Sequence, residues 1–315
     1  MSNDETILGA IDPELMEHLV TRREAIKKGA AVSAPVAAGL ALASVPVALA
    51  ALTKNAFAQS PADVTAVLNF ALMLEIFENE FYKAVLGTSA SAAQNNAFAP
   101  VRSQIPAAAV TAVQQIQKHE AAHVAFLSAN GASNTLNLNA DSFDFTGNRG
   151  NSPAGPFARA TSEVAFLLAV AQAAEDTGVR AYKGQVGNLL SNRPVLEAAL
   201  RIHSVEARHA SKIRRLRRAT GAPSVVKYSG TISGGGSAAA GAGNISPAPP
   251  QAVVDAFNLI YAGEDTTTQG TVSITGLPNL PSGFTSAAAS EAFDEPLTKA
   301  QVIAIVQPFF KPTLS

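Results

Sequence analysis

From Ser60 to Leu86 apolar residues return at helical spacing, at Leu68, Leu72, Ile76 and Val85, and Gly87 closes the run. Its start is marked by Ser60, which can cap, Pro61, which suits a first helical position, and Asp63, which complements the helix dipole. A second helix is predicted from about Pro106 to the stop pair Asn130-Gly131, a third from Pro156 to about Val186, and a fourth from Asn192-Arg193-Pro194 to Thr220-Gly221. Residues 131–155 between the second and third are rich in Asn, Ser, Gly and Asp and far exceed a tight antiparallel turn. Such a stretch can run the length of a bundle, so that the third helix starts from the far end. The pattern predicts an all-α fold: a four-helix bundle over residues 59–222 with a long crossover between helices 2 and 3. The basic cluster Lys212, Arg214, Arg215, Arg217 and Arg218 in the last turns of helix 4 reads as a solvated helix end that suits the dipole.

Residues 223–250 read as a linker, because Ser229 to Pro250 is a low-complexity stretch of Gly, Ser, Ala and Pro. Residues 251–315 form a C-terminal extension with short helices expected over Gln251–Ala262 and Thr298–Val306, the latter with capping-box spacing between Thr298 and Gln301. The extension is expected to pack on the outside of the bundle or to mediate association. Residues 1–58 read as an export signal. Arg22-Arg23 begins a basic region with Ile26 three positions on, an Ala-rich apolar run extends from Gly29 to about Leu52, and Ala56-Phe57-Ala58 is a small-x-small cleavage site. The paired arginines resemble a twin-arginine signal, which implies the twin-arginine export machinery as a partner and a periplasmic or extracellular location. The alternative is an uncleaved membrane anchor, since the run is long enough to span; Pro35 and Pro46 interrupt it.

Composition narrows the chemistry. Of 315 residues 47% are hydrophobic, much of that Ala, and only 6% are aromatic, which suits closely packed helices. The formal net charge of -1 gives no electrostatic case for nucleic acid. There is no Cys, which excludes disulfides, thiolate metal sites, iron–sulfur clusters and Cys nucleophiles, and suits an oxidising compartment.

Two Glu-x-x-His pairs then stand out, Glu120/His123 in helix 2 and Glu206/His209 in helix 4. Residues three apart on a helix lie about 60° apart around the axis and roughly 4.5 Å apart along it, so each pair can reach one metal region. Helices 1 and 3 each add one carboxylate, Glu75 and Glu175. Glu75 is chosen over Glu78 and Glu80 by an internal regularity. Tyr82 follows Glu75 by seven residues and Tyr182 follows Glu175 by seven, whereas Glu78 and Glu80 correspond to Gly178 and Arg180. The order Glu, Glu-x-x-His, Glu, Glu-x-x-His is the ligand set with which four-helix bundles hold two metal ions. Imidazole and carboxylate donors suit two iron ions or, alternatively, two manganese ions. Tyr82 and Tyr182 read either as hydrogen-bond partners of the carboxylates or as core aromatics, and they are the candidate catalytic residues. His119 and His203 read as supporting or surface groups. Asp176 reads either as an acceptor for a neighbouring His or as exposed.

The segments from Leu68-Asn69-Phe70-Ala71-Leu72 to Glu75-Ile76-Phe77-Glu78-Asn79-Glu80-Phe81-Tyr82, and Glu206-Ala207-Arg208-His209, resemble the ferritin-like superfamily, in particular exported members related to plant desiccation-related proteins. The resemblance covers about residues 60 to 220. Tyr261-Ala262-Gly263-Glu264-Asp265 and Glu291-Ala292-Phe293-Asp294-Glu295-Pro296 resemble the C-terminal extension of bacterial members. The superfamily contains ferritins, rubrerythrins, oxygenases and manganese catalases, so the resemblance implies a bundle and a metal set but no single reaction. Three functions follow from it. One is a di-iron oxidoreductase in stress protection that takes ferrous iron, peroxide or dioxygen as small substrates. The second is a dimanganese catalase-like enzyme. The third is a non-enzymatic envelope protein with a structural metal site. An iron-storage cage and an interfacial haem fit less well, Met73 being the only Met of the expected mature chain. A homo-oligomer is compatible with all three functions.

Overall fold

The computed structural model describes residues 64–219 and 250–314. The proposed export signal, the capping residues Ser60 to Asp63 and most of the expected linker lie outside the described residues. Among the described residues no helix is long and apolar enough to cross a membrane.

Four long helices form the bundle: α1 (Val64–Leu86), α4 (Ala107–Ala129), α5 (Val164–Leu189) and α6 (Arg193–Ala219). Two short helices, α2 (Ala92–Ala97) and α3 (Ala99–Arg102), occupy the connection between α1 and α4 and were not foreseen from the sequence. Helix α1 stops at Gly87, whose φ of 78° is left-handed. The Arg102 guanidinium caps the end, donating to the carbonyls of Val85 and Ala84, each at 2.8 Å. Any Cβ at position 87 would lie 2.7 Å from the Arg102 Cζ, so glycine serves both the turn and the cap.

The expected crossover is present. Val85 at the end of α1 meets Val113 near the start of α4, and Val113 in turn shares a small cavity with Val164 and Leu167 at the start of α5. Helices α4 and α5 therefore run parallel, which only a long connection permits. Helix α5 begins at Val164, eight residues later than the sequence suggested. The start signal at Pro156 is used on a 3₁₀ turn over Ala158–Thr161, and Ser162 leaves the helical path. The Glu163 carboxylate folds back on Arg159 at 2.7 Å.

Helix α5 is buried along almost its whole length, because α6 and α1 cover two sides and the C-terminal extension covers the rest. The extension comprises α7 (Gln251–Ile260), a two-residue hairpin of β1 (Thr268–Gln269) and β2 (Val272–Ser273), α8 (Ser286–Glu291) and α9 (Lys299–Val306). The capping box of Thr298 and Gln301 is formed. Three contacts fix the extension. Gly184 lies so close to the Leu297 carbonyl that no Cβ fits there. The Arg180 guanidinium, 1% exposed, donates to the carbonyls of Ile260 at 2.5 Å, Ala262 at 2.7 Å and Glu295 at 2.8 Å and pairs with Glu264 at 3.0 Å. Phe309 and Phe310 join Phe77, Phe143 and Phe145 in one aromatic cluster that ties the tail to α1 and to the crossover.

Candidate metal centre

The buried residues of α4 are Ala109, Ala112, Val113, Ile116, Glu120 and Leu127, a single helical stripe. Those of α6 are Ile202, Glu206, His209, Ala210, Ile213, Leu216 and Arg217. Each Glu-x-x-His pair thus sits on the stripe that hydrophobicity turns toward the core. The polar residues enter the interior because their apolar neighbours carry them there.

All six residues chosen from the sequence meet in the middle of the bundle. They form two overlapping groups, Glu75, Glu120, His123 and Glu206, and Glu120, Glu175, Glu206 and His209, with one donor atom from each residue within 4.8 Å of the others in its group. Nδ1 of His123 lies 3.0 Å from Glu75, 3.2 Å from Glu120 and 3.2 Å from Glu206. Nδ1 of His209 lies 2.8 Å from Glu120, 3.3 Å from Glu175 and 3.7 Å from Glu206. Glu120 and Glu206 belong to both groups, so they would be the shared carboxylates if each group held a cation. Glu75 with His123 and Glu175 with His209 would then be the terminal pairs.

His123 Nδ1 hydrogen-bonds to Glu75 Oε2 and Glu120 Oε2, but several other donor atoms of the two groups lack hydrogen-bond geometry. Oε1 of Glu120, Oε2 of Glu175, both oxygens of Glu206 and Nδ1 of His209 are buried without a hydrogen-bond partner. These atoms belong to residues of the two groups. Buried polar atoms are ordinarily satisfied, so this concentration of orphaned donor atoms fits a pair of cations in the two groups.

The electrostatics agree. Burial and the neighbouring Glu206 drive Glu120 well above the ordinary carboxylate range. Burial raises Glu175 to about 7 against the opposing pull of His209. Burial disfavours charge on His123 and His209 too, but the surrounding carboxylates outweigh it and lift both imidazoles to about 12. The same two imidazoles overcome the burial of Glu206 and hold it at about 2. In the metal-free protein protons do part of the work that cations would do.

The tyrosines cross over between the halves. The Tyr182 hydroxyl donates to Glu75 Oε1 at 2.5 Å, and the Tyr82 hydroxyl donates to Glu175 Oε1. Both rings are buried. Each terminal carboxylate is therefore oriented by the tyrosine of the other half, the hydrogen-bonding alternative for these residues. His119 stacks on His209 at 5.1 Å, with its Nδ1 2.9 Å from the His209 Nε2. Burial and the nearby His209 and His123 hold His119 below its ordinary value, so as a neutral imidazole it can accept the outward N–H of His209. His203 faces the Val179 carbonyl at 3.1 Å and lies outside both groups.

Two sequence readings need correction. Arg217 is buried, donating to Gln172 at 2.7 Å, and Arg214 pairs with Asp176 at 2.6 Å; only Lys212, Arg215 and Arg218 of that cluster are exposed. Asp176 is buried and serves no histidine. It accepts from Arg214 and from the Tyr261 hydroxyl at 2.9 Å, so it anchors the extension. Glu78, set aside in the sequence in favour of Glu75, nevertheless lies beside the centre. Glu78 is 3% exposed, and burial together with Glu206 pushes its carboxyl well above the ordinary range. A Cβ at Gly178 would lie 3.1 Å from Glu78 Oε1 and 3.5 Å from Glu206 Oε2. The two carboxylates converge across a glycine, so the absence of a counterpart at 178 is what admits Glu78. Glu80, by contrast, pairs with Lys83 at 2.7 Å.

Residues 63–219 match the family model for the ferritin-like domain. This part of the chain is a ferritin-like domain. The match ends where the described part of α6 ends, so the extension from residue 250 lies beyond the matched residues. No curated protein and no solved structure matches the chain.

Proposed function

We propose that the ferritin-like domain holds two iron ions and acts as an oxidoreductase on ferrous iron, peroxide or dioxygen. The observation that carries this reading is the set of orphaned carboxylate and imidazole atoms shared between two groups. Glu120 and Glu206 would serve both ions, Glu75/His123 and Glu175/His209 would complete the two sites, and the donor set suits iron or manganese. Bound iron supplies the redox electrons and a Lewis-acid surface. The chain's own contribution is position: Tyr82 and Tyr182 fix the terminal carboxylates, His119 fixes His209, and the buried surround keeps bulk water away. Export through the twin-arginine route and a role in stress protection belong to the same proposal, supported by Arg22-Arg23 and the Ala-rich run.

The test is turnover. Iron-loaded protein is expected to oxidise excess ferrous iron or to consume peroxide over many cycles, and a Glu120→Ala variant is expected to lose this. Sustained peroxide disproportionation by the manganese-loaded form alone would transfer the reading to the dimanganese alternative. A fully loaded, folded protein with no turnover on any of the three substrates would leave only a structural role for the ions.

A further inference from the structure

Beyond the ligand layer the bundle is not closed. An apolar cleft of about 110 Å³ opens where the N-terminal parts of α1 and α6 meet the C-terminal parts of α4 and α5. Its walls stand in register with the centre. Ala71 lies one turn before Glu75, Phe126 and Leu127 one turn after His123, Tyr182 two turns after Glu175 and Ile202 one turn before Glu206. Helices α1, α4 and α6 contribute to the cleft from the turn next to their own ligand residues, and α5 contributes from two turns along. The cleft reaches Tyr182, whose hydroxyl is bonded to Glu75. None of its lining residues is charged, and only Asn130, Tyr182 and Gln185 are polar. Phe126 at the edge is 42% exposed.

We propose that this cleft is a binding site for a small apolar organic molecule, an aromatic ring or the end of an alkyl chain, held against Tyr182 one helical layer from the metal pair. The placement beside metal rests on the proposed function; the binding itself does not. Size selects the occupant. An apolar cavity of about 150 Å³ accepts benzene, so this space takes one ring or a few methylenes. Its uncharged walls would leave an ion or a hydrated substrate undersolvated.

The probe is toluene, followed by saturation-transfer NMR on the full-length protein with sedimentation run alongside. Metal-free wild type is expected to give a saturable signal. Ala199→Phe and Ala71→Phe, which fill the cleft from opposite walls, are expected to weaken binding at least about tenfold, while melting curves report whether they fold. In manganese-loaded protein the bound toluene resonances are expected to broaden through proximity to the paramagnetic ions. The proposal is overturned by an absent or unsaturable signal in wild type, by unchanged binding in a folded cleft-filling variant, or by toluene dissociating a dimer, which would make this face an interface between copies. It is overturned as well by unbroadened toluene in protein that metal analysis shows to be loaded. Protein that takes up no metal yet binds toluene when metal-free would count against the metal reading alone.

Discussion

Replacing Tyr182 by Phe removes one oxygen and leaves the ring packing in place. The lost bond, 2.5 Å to Glu75 Oε1, joins two buried side chains, and Glu75 belongs to the His123 group only, where it would be a terminal ligand. A hydrogen bond to a charged group contributes about 1.5–3 kcal/mol, and loss of a partner behind a metal ligand costs roughly tenfold to a hundredfold in affinity, which is about 1.4–2.8 kcal/mol. The two magnitudes agree, so Tyr182→Phe should weaken one ion by that factor and leave the other nearly unchanged. Tyr82→Phe removes the bond to Glu175 and should weaken the His209 site instead. Stepwise titration against a chromophoric chelator reads the two affinities separately, and the double variant should weaken both. Equal weakening of both ions by either single variant, or no effect from either, would refute the crossed arrangement in which each tyrosine serves one terminal carboxylate.

Metal uptake should release protons and strengthen as pH rises. The metal-free imidazoles of His123 and His209 stay protonated up to about 12 and Glu175 up to about 7, so calorimetry in buffers of differing ionisation heat should show about two or more protons released at pH 6. The imidazoles stabilise the metal-free fold fully below their ordinary value of 6.5, and this is lost as pH climbs toward about 12; the gain in melting temperature on metal addition should therefore widen with pH. A pH-independent gain would contradict the titration described. Gly178→Ala should fail to deliver the roughly 1 kcal/mol that alanine ordinarily adds to a helix, and should lower metal affinity, because its Cβ presses on Glu78 Oε1 and sits in contact with Glu206; a stabler protein with unchanged affinity would be the contrary result. Arg180→Met takes the counter-charge from buried Glu264 and three donors from the extension, so a loss of about 3–5 kcal/mol is expected, with protease cleavage appearing first between residues 250 and 314. Cleavage confined elsewhere would show that the arginine does not hold the extension.

The bundle was legible because its signals are local and periodic. Helix α4 ends on the Asn130-Gly131 pair, α1 ends on Gly87, and the excess length of residues 131–155 betrayed the crossover. The metal set was legible because spacing on a helix fixes direction, and because Glu75 and Tyr82 repeat as Glu175 and Tyr182. What escaped depends on contacts distant in sequence. Glu78 looks like an ordinary helix carboxylate until Gly178 on another helix is seen to make room for it. Arg214 and Arg217 look like a solvated helix end until Asp176, Gln172 and Tyr261 are placed against them. The late start of α5 reflects the 3₁₀ turn over Ala158–Thr161 and the extended backbone of Glu163, neither of which the signal at Pro156 reveals.

Whether the two groups of side chains hold two ions is read most directly by anomalous diffraction from crystals of natively purified protein, measured on both sides of the iron and manganese edges. Two peaks are expected in each chain, both within reach of Glu120 and Glu206, one beside His123 and the other beside His209. A single peak, or metal bound elsewhere with the six side chains paired among themselves, would contradict a two-ion centre.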